Sequence, residues 1–338
     1  MDDIKVLAID LAKRVFQLHG VNSKGKVLLR KKVAREHLKA QILNMPPCLI
    51  AMEACSGAHY WAREFEKMGH TVRLIAPQFV KAFVKSNKND ANDAEAICEA
   101  VQRPSMRFVS VKPERNQDIQ VLVKARNQLI QSRTAIINEL HAIFHEYGIV
   151  LPRKMESFRG SIFEYLSPEC GDLSELLKRT VSTLMKELDH LCERTKEFDK
   201  EIYQFTTKNE TTKRLLSIPG VGHVVAAAMF AYITDPHRFN SGRDLSAWVG
   251  LVPRQNSSGG RSILKGISKR GDAYLRSLII HGARASLIRP TGWGEETAKW
   301  IGELKIRRGM NRSVVALANK IVRVAWAIMT TERVFQCA

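Results

Sequence analysis

Four carboxylates and a pair of serines have the type and setting for phosphodiester chemistry in this 338-residue chain. Asp10 closes a near-continuous apolar run, KVLAIDL, and Glu53 stands near the end of another, CLIAMEA. An acid in an otherwise buried strand is costly unless something pairs with it, and a divalent cation resolves that cost. Asp90 and Asp93 lie three residues apart in NDANDAEAICEAV, so on a helix they share one face. Together the four have the donors for two Mg2+ ions about 4 Å apart, one activating a nucleophile and the other stabilising the leaving oxygen. Each acid alone also has a plainer use, as a turn cap at a strand end or an N-cap at a helix start. Four of them in matching elements of a strongly basic chain favour the metal. Glu95 and Glu99 are alternative donors, although Glu95 falls off the face that Asp90 and Asp93 share.

The second constellation is GLVPRQNSSGGRSILKGISKRG, residues 250–271. Ser257 and Ser258 precede Gly259 and Gly260, where the backbone can bend sharply. Five cations, Arg254, Arg261, Lys265, Lys269 and Arg270, share this loop. From Trp248 to Arg289 eight Lys or Arg stand against one acid, Asp272, a patch suited to phosphate contacts. A serine that attacks phosphorus needs a base, or cations that stabilise the alkoxide and the phosphorane charge. The cations are present, and His281 is the nearest candidate base. The same loop would equally serve to grip phosphate through amides and hydroxyls, and its chemistry leaves both uses open.

The elements that position these groups are legible from period and punctuation. Residues 4–33 predict three strands in a meander, 48–54 a buried strand, HYWAREFEKMG a helix ending at Gly69, and TVRLIAP a fifth strand stopped by Pro77. A basic patch at Lys81, Lys85 and Lys88 precedes the acidic helix. Three consecutive strands, then strand, helix, strand, helix, is the order of a ribonuclease-H-like mixed sheet. Residues 112–147 and 172–206 predict two long amphipathic helices around a break at GIVLPRK. They suggest a helical hairpin or coiled-coil arm, or else a bundle packed on its own domain. From Thr211 the chain is mostly helical, with LLSIPGVG resembling a helix-hairpin-helix turn in which Gly220 and Gly222 let amides approach a phosphate. FNSGRDLSAWVGLVP and DAYLRSLIIHGARASLI are further helices, a less regular segment reaches about residue 310, and NRSVVALANKIVRVAWAIM closes the chain. The expected domains are 1–110, 111–210 and 211–338.

The 53 Lys and Arg against 34 Asp and Glu leave a net charge of +19, which points to a polyanionic partner. No apolar run approaches the roughly 18 residues of a membrane span, and no signal peptide is visible, so nucleic acid is favoured over a membrane. Six scattered cysteines, Cys48, Cys55, Cys98, Cys170, Cys192 and Cys337, have no C-x-x-C spacing. They argue against structural zinc and disulfides, and for buried thiols in a reducing cytoplasm.

AIDLAK with Asp10, AMEACSG with Glu53, and NDANDAEAI with Asp90 and Asp93 resemble the RuvC-like DEDD domain of one insertion-sequence transposase family. IPGVG, LSAWVGLVPRQNSSGG and GISKRGDAYLR resemble its C-terminal transposase domain. This is the family of the bridge-RNA-guided recombinases and the pilin-gene invertases, and the resemblance spans the whole chain in order. It implies a RuvC-like α/β domain, a helical arm and a mostly helical C-terminal domain. It further implies that Asp10, Glu53, Asp90 and Asp93 bind Mg2+, and that the serine nucleophile is Ser258, with Ser257 as the fallback. It implies a bacterial, cytoplasmic recombinase that joins DNA through a 5′-phosphoserine link. A structured non-coding RNA would guide it, and dimers or tetramers would contribute carboxylates and serine from different subunits. The alternatives are a RuvC-like metal-dependent junction nuclease whose serine loop only grips phosphate, and a non-enzymatic nucleic-acid-binding protein. The cations would serve RNA or DNA equally, and no RNA-binding module signature is present.

Overall fold

Apolar alternation in the first third of the chain is resolved into a sheet covered on both faces. The computed structural model describes residues 3–85, 89–170 and 173–336, and the chain divides into two units, residues 1–114 and 115–338. In the first unit β1 (Val6–Asp10), β2 (Val15–Val21) and β3 (Val27–Ala34) form an antiparallel meander. There follow α1 (Arg35–Leu43), β4 (Leu49–Glu53), α2 (Ala58–Lys67), β5 (Thr71–Ile75), the single turn α3 (Pro77–Val80), α4 (Asp90–Val101) and β6 (Phe108–Val109). The sheet order is β3-β2-β1-β4-β5-β6, with β4 parallel to β1, β5 parallel to β4, and β6 antiparallel to β5.

Side-chain alternation sorts the sheet into two faces. Leu7, Ile9, Phe16, Leu18, Ile50 and Met52 pack with Leu38 and Ile42 of α1 and with Trp61 and Phe65 of α2. Ala8, Val21, Ala51 and Ile75 pack instead with Ala96, Ile97 and Ala100 of α4. Each fully buried Leu, Ile or Phe contributes about 1.5–3 kcal/mol, so this division fixes the register against a one-residue slip. At the start of α4 the Asn89 side chain accepts the Ala91 N–H at 2.9 Å.

The second unit is nearly all helix: α5 (Glu114–Glu146), α6 (Met155–Leu166), α7 (Glu175–Lys208), α8 (Glu210–Leu216), α9 (His223–Tyr232) and α10 (Gly242–Val249). A hairpin of β7 (Pro253–Ser258) and β8 (Arg261–Ile267) follows, then α11 (Ala273–Ile288), α12 (Glu295–Arg308) and α13 (Met310–Thr331). α5 and α7 run antiparallel. Val123 and Ile202, from their near ends, join the core of α8–α11 and α13, where Arg126 also pairs with Asp199 at 2.5 Å. At the far end Leu140 and Phe144 meet Val181, Met185 and Leu188 around Phe158 and Ile162 of α6.

Several expectations change. The break between the long helices contains α6, whose apolar face closes the far end of the pair within the chain. α1 is an unforeseen helix between the third and fourth strands, and the less regular segment before residue 310 is largely α12. The serine loop is a β-hairpin. One run does reach membrane-span length: α13 holds an 18-residue window of mean hydropathy 1.4. It packs as a core helix, burying Val314, Leu317, Ala318, Ile321, Val322, Ala325 and Ile328 against the second unit's core. Lys88 of the basic patch and Cys337 lie outside the described residues. Cys48 and Cys98 are buried free thiols, both pushed up to about 11 by burial.

Candidate carboxylate site and serine hairpin

Strand register brings two of the four acids together. β1 and β4 run parallel with Ile9 opposite Met52, so Asp10 and Glu53 are the next residues, side by side at the C-terminal ends of neighbouring strands. Each stands two residues beyond an alanine that contacts α4, Ala8 or Ala51, and therefore lies on the α4 face. Each is half-buried. Their joint field is felt by Cys55, whose thiol is raised by burial first, then by Glu53 and by Asp10. Asp90 and Asp93 occupy the first turn of α4, Asp90 exposed and Asp93 half-buried, where a negative charge favours the helix dipole. Among the described residues no group of three or more His, Cys, Asp or Glu able to hold one ion occurs.

The alternative donors are otherwise engaged. Glu95 pairs with Arg30 of β3 at 2.8 Å and with Lys85 at 3.8 Å. Glu99 pairs with Lys85 at 3.8 Å and with Arg103 at 2.9 Å. These pairs bind α4 to its surroundings, so Lys85 is an ion-paired residue rather than an open cation. Gln17 is a further polar residue of this face, absent from the candidates that residue type and spacing mark out. It sits on β2 directly opposite Asp10, is 7% exposed, and its Oε1 has no hydrogen-bond partner among the described residues. A single amide in the apolar alternation of FQLHGV was the only signal of it.

The serine hairpin is built differently. Ser258 and Arg261 close it as register partners, and Gly259 and Gly260 between them have φ of +54° and +76°. Two consecutive positive φ values are the signature of a tight hairpin turn that only glycine adopts readily. Every residue of β7 is exposed, and so is β8 up to Gly266. Gln255 donates to the Ser257 hydroxyl at 2.7 Å and to Ser262 at 3.3 Å, whereas the Ser258 hydroxyl has no hydrogen bond among the described residues. Arg254, Arg261, Lys265, Lys269 and Arg270 are exposed, and none is ion-paired among the described residues. His281 is an exposed residue of α11, and no hydrogen bond joins it to either serine.

The hairpin's base, in contrast, is tightly held. A Cβ on Gly250 would lie 2.2 Å from the Arg270 carbonyl, and one on Gly271 2.2 Å from that of Trp248, so the two chain segments cross at bare backbone. Arg276, 8% exposed, donates to the Val249 and Arg270 carbonyls at 3.1 and 2.8 Å. Asp272, the one acid of the basic stretch, caps α11 by accepting the Tyr274 and Leu275 N–H groups, both at 2.9 Å. The IPGVG turn is a packing device as well. Gly220 has φ of +88°, and a Cβ there would meet the Gly282 carbonyl of α11 at 2.6 Å. Gly222, at the N-terminus of α9, faces open space.

Residues 7–149 match the model of the DEDD transposases of IS110 type, and residues 212–299 match that of the transposase IS116/IS110/IS902 family. The transposase for insertion sequence element IS1111A of Coxiella burnetii is 44% identical over 337 residues, covering 100% of this chain and 93% of its own. A probable family 20 transposase of Pseudomonas aeruginosa is 42% identical over 98% of each chain. A pilin gene-inverting protein of Moraxella bovis is 22% identical over 79% of this chain and 74% of its own. The chain belongs to the IS110/IS116/IS902 transposase family.

The transposase is thus a DNA-cutting and rejoining enzyme of an insertion sequence, and its DEDD domain implies a divalent metal. The donors at the strand ends fit such an ion. Mg2+ takes one or two carboxylates and completes its shell with water and phosphate oxygens. Asp10 and Glu53 offer that number on one sheet face, beside the orphaned oxygen of Gln17. A cation held there would supply charge stabilisation at a phosphate and a more acidic bound water.

Proposed function

We propose that this transposase cuts and rejoins DNA through a covalent 5′-phosphoserine link made by Ser258. In this reading the N-terminal unit is RuvC-like, with Asp10, Glu53, Asp90 and Asp93 as its Mg2+ ligands. The Ser258 hydroxyl, without a hydrogen bond among the described residues, carries the proposal: Ser257 is engaged by Gln255, while Ser258 stands exposed at the turn, paired in register with Arg261. In cleavage the Ser258 oxygen forms a bond to phosphorus and the P–O3′ bond breaks. The serine proton leaves to solvent, and the departing O3′ takes one up. Rejoining reverses this when a new 3′-hydroxyl attacks phosphorus and releases the serine. The cations of the hairpin stabilise the serine alkoxide and the phosphorane charge in place of a neighbouring base. The sheet order, with three antiparallel strands followed by two parallel ones, supports the RuvC-like reading.

The same reading has a structured RNA, encoded by the element, choosing the DNA by base pairing. It also has the transposase working as a dimer or tetramer, with the paired long helices as the place of self-association. The net charge of +19 supports a polyanionic complex of this kind.

The test uses full-length transposase with its co-purifying RNA and DNA carrying the element ends. Wild type and Ser257→Ala are expected to form denaturant-resistant protein–DNA adducts, and Ser258→Ala none. Wild-type adduct levels in both serine variants would sink the serine mechanism. Cleaved DNA with free 5′-phosphates and no bound protein would favour the junction nuclease instead.

A further inference from the structure

Gln17 is a buried polar side chain whose setting the fold does not explain. Its neighbours on β2, Phe16 and Leu18, point into the core under α1 and α2, so Gln17 points to the α4 face. There it stands in one lateral row with Lys32 of β3, Asp10 of β1 and Glu53 of β4. Register partners on antiparallel strands hold their Cβ atoms about 4.5–5.5 Å apart, so the amide and the Asp10 carboxylate are immediate neighbours. Lys32, on its other side, is exposed and makes no hydrogen bond to the amide. A buried acceptor without a partner is unfavourable, and few persist in folded chains. One that stands beside a half-buried carboxylate, with a second on the next strand, is satisfied when a donor enters the row.

We propose that Gln17 is a positioning residue of the carboxylate site: its Oε1 accepts a hydrogen bond from a water carried by the divalent cation that Asp10 and Glu53 hold. The inference rests on the reading of those two acids as cation ligands. A neutral amide suits this role, because it orients the water and adds no third negative charge to the row. Outer partners of this kind commonly govern affinity for the ion by about 10–100-fold.

The test is Mn2+ binding to the full-length transposase without DNA, followed by electron paramagnetic resonance, with thermal melting measured in parallel. Gln17→Met keeps the length of the side chain and removes the oxygen. It is expected to weaken Mn2+ binding about tenfold or more while the metal-free protein melts at the same or a higher temperature. Gln17→Glu keeps an oxygen at the same reach, adds a charge, and is expected to bind Mn2+ more tightly than wild type. Asp10→Asn is the control for the underlying reading. If it binds Mn2+ as wild type does, the carboxylate reading itself fails. If Asp10→Asn loses binding but Gln17→Met keeps wild-type affinity, the role of Gln17 is overturned and the carboxylate reading stands. Should Gln17→Met not fold, Gln17→Glu decides alone, and unchanged affinity in it overturns the proposal.

Discussion

The strand-end carboxylates and the serine hairpin hold reactive groups by opposite means. Asp10 and Glu53 are set by sheet register, each preceded by a fully buried residue, and half-shielded from water. Ser258 stands on a two-stranded ribbon whose faces are bare, and only its root is fixed, by the Gly250–Gly271 crossing and Arg276. An isolated hairpin is marginally stable in water, so its strands gain order from whatever binds them. The acids are held by the fold, whereas Ser258 stands on an exposed tip above a fixed root. In the proposed mechanism that difference suits a nucleophile that must reach a bound polyanion.

Strain placed separately at the tip and at a packed position should separate the two regions most strongly. Replacing Gly259 and Gly260 together by Ala forces two L-residues into left-handed conformations, at about 1–2 kcal/mol each. Adduct yield on element-end DNA is expected to fall at least about tenfold, with little change in melting temperature, because the exposed tip can open and relieve the strain without exposing a core. Gly282→Ala is the converse: its Cβ would lie 2.1 Å from the Gly220 carbonyl. Overpacking of this kind costs about 1–3 kcal/mol, so the melting temperature is expected to drop by several degrees. A tip variant that melts early, or a Gly282 variant that does not, would erase the distinction between the two regions.

Charge gives a smaller contrast. Arg254, Arg261 and Lys265 have no ion pair among the described residues, whereas Lys85 is held between Glu95 and Glu99. Replacing any one of the three hairpin cations by Ala is expected to lower the slope of log affinity against log salt by about 0.9, uniformly across DNA sequences. Lys85→Ala is expected to change it less. Equilibrium binding titrations at several salt concentrations measure both.

The last contrast concerns pH and the first unit alone. His59 accepts the Lys112 N–H at 3.2 Å and is lowered to about 4 by burial first, then by the charges of Lys112 and Arg63. The unfolded chain therefore takes up this proton at a higher pH than the folded one. Its contribution to stability is full above pH ~6.5 and is lost as pH falls towards about 4. Melting temperatures taken between those values should decline for wild type and decline less steeply for His59→Gln. Parallel declines would remove His59 from the account.

Legibility followed the range of the interactions. The strands of the first unit and the long helices α5 and α7 were readable because apolar period is a local property. α6 and α12 were obscured by weak periodicity, and their helical state depends on packing: α6 is anchored by Phe158 and Ile162 in a cluster that spans three helices. The hairpin read as a loop because its strands, PRQNSS and RSILKGI, have no buried face to impose an alternation. Of the candidate site, Asp10 and Glu53 were visible as acids closing apolar runs. Gln17 was not, since an amide in a strand is unremarkable until its partners have been sought in three dimensions.

By itself the sequence determined the kinds of groups available: carboxylates at strand ends and on a helix, a serine pair before two glycines, and a surplus of cations. It also determined the elements that carry them, because composition and period act over a few residues. Three-dimensional packing was needed to show that Asp10 and Glu53 share the α4 face, and that among the described residues the Gln17 oxygen facing Asp10 has no partner and Gln255 bonds Ser257 but not Ser258. The first two facts depend on strand register and cross-strand contact, which join residues as far apart as Asp10 and Glu53 and which no local pattern encodes; the third depends on β7 being a strand, which has no buried face to announce it.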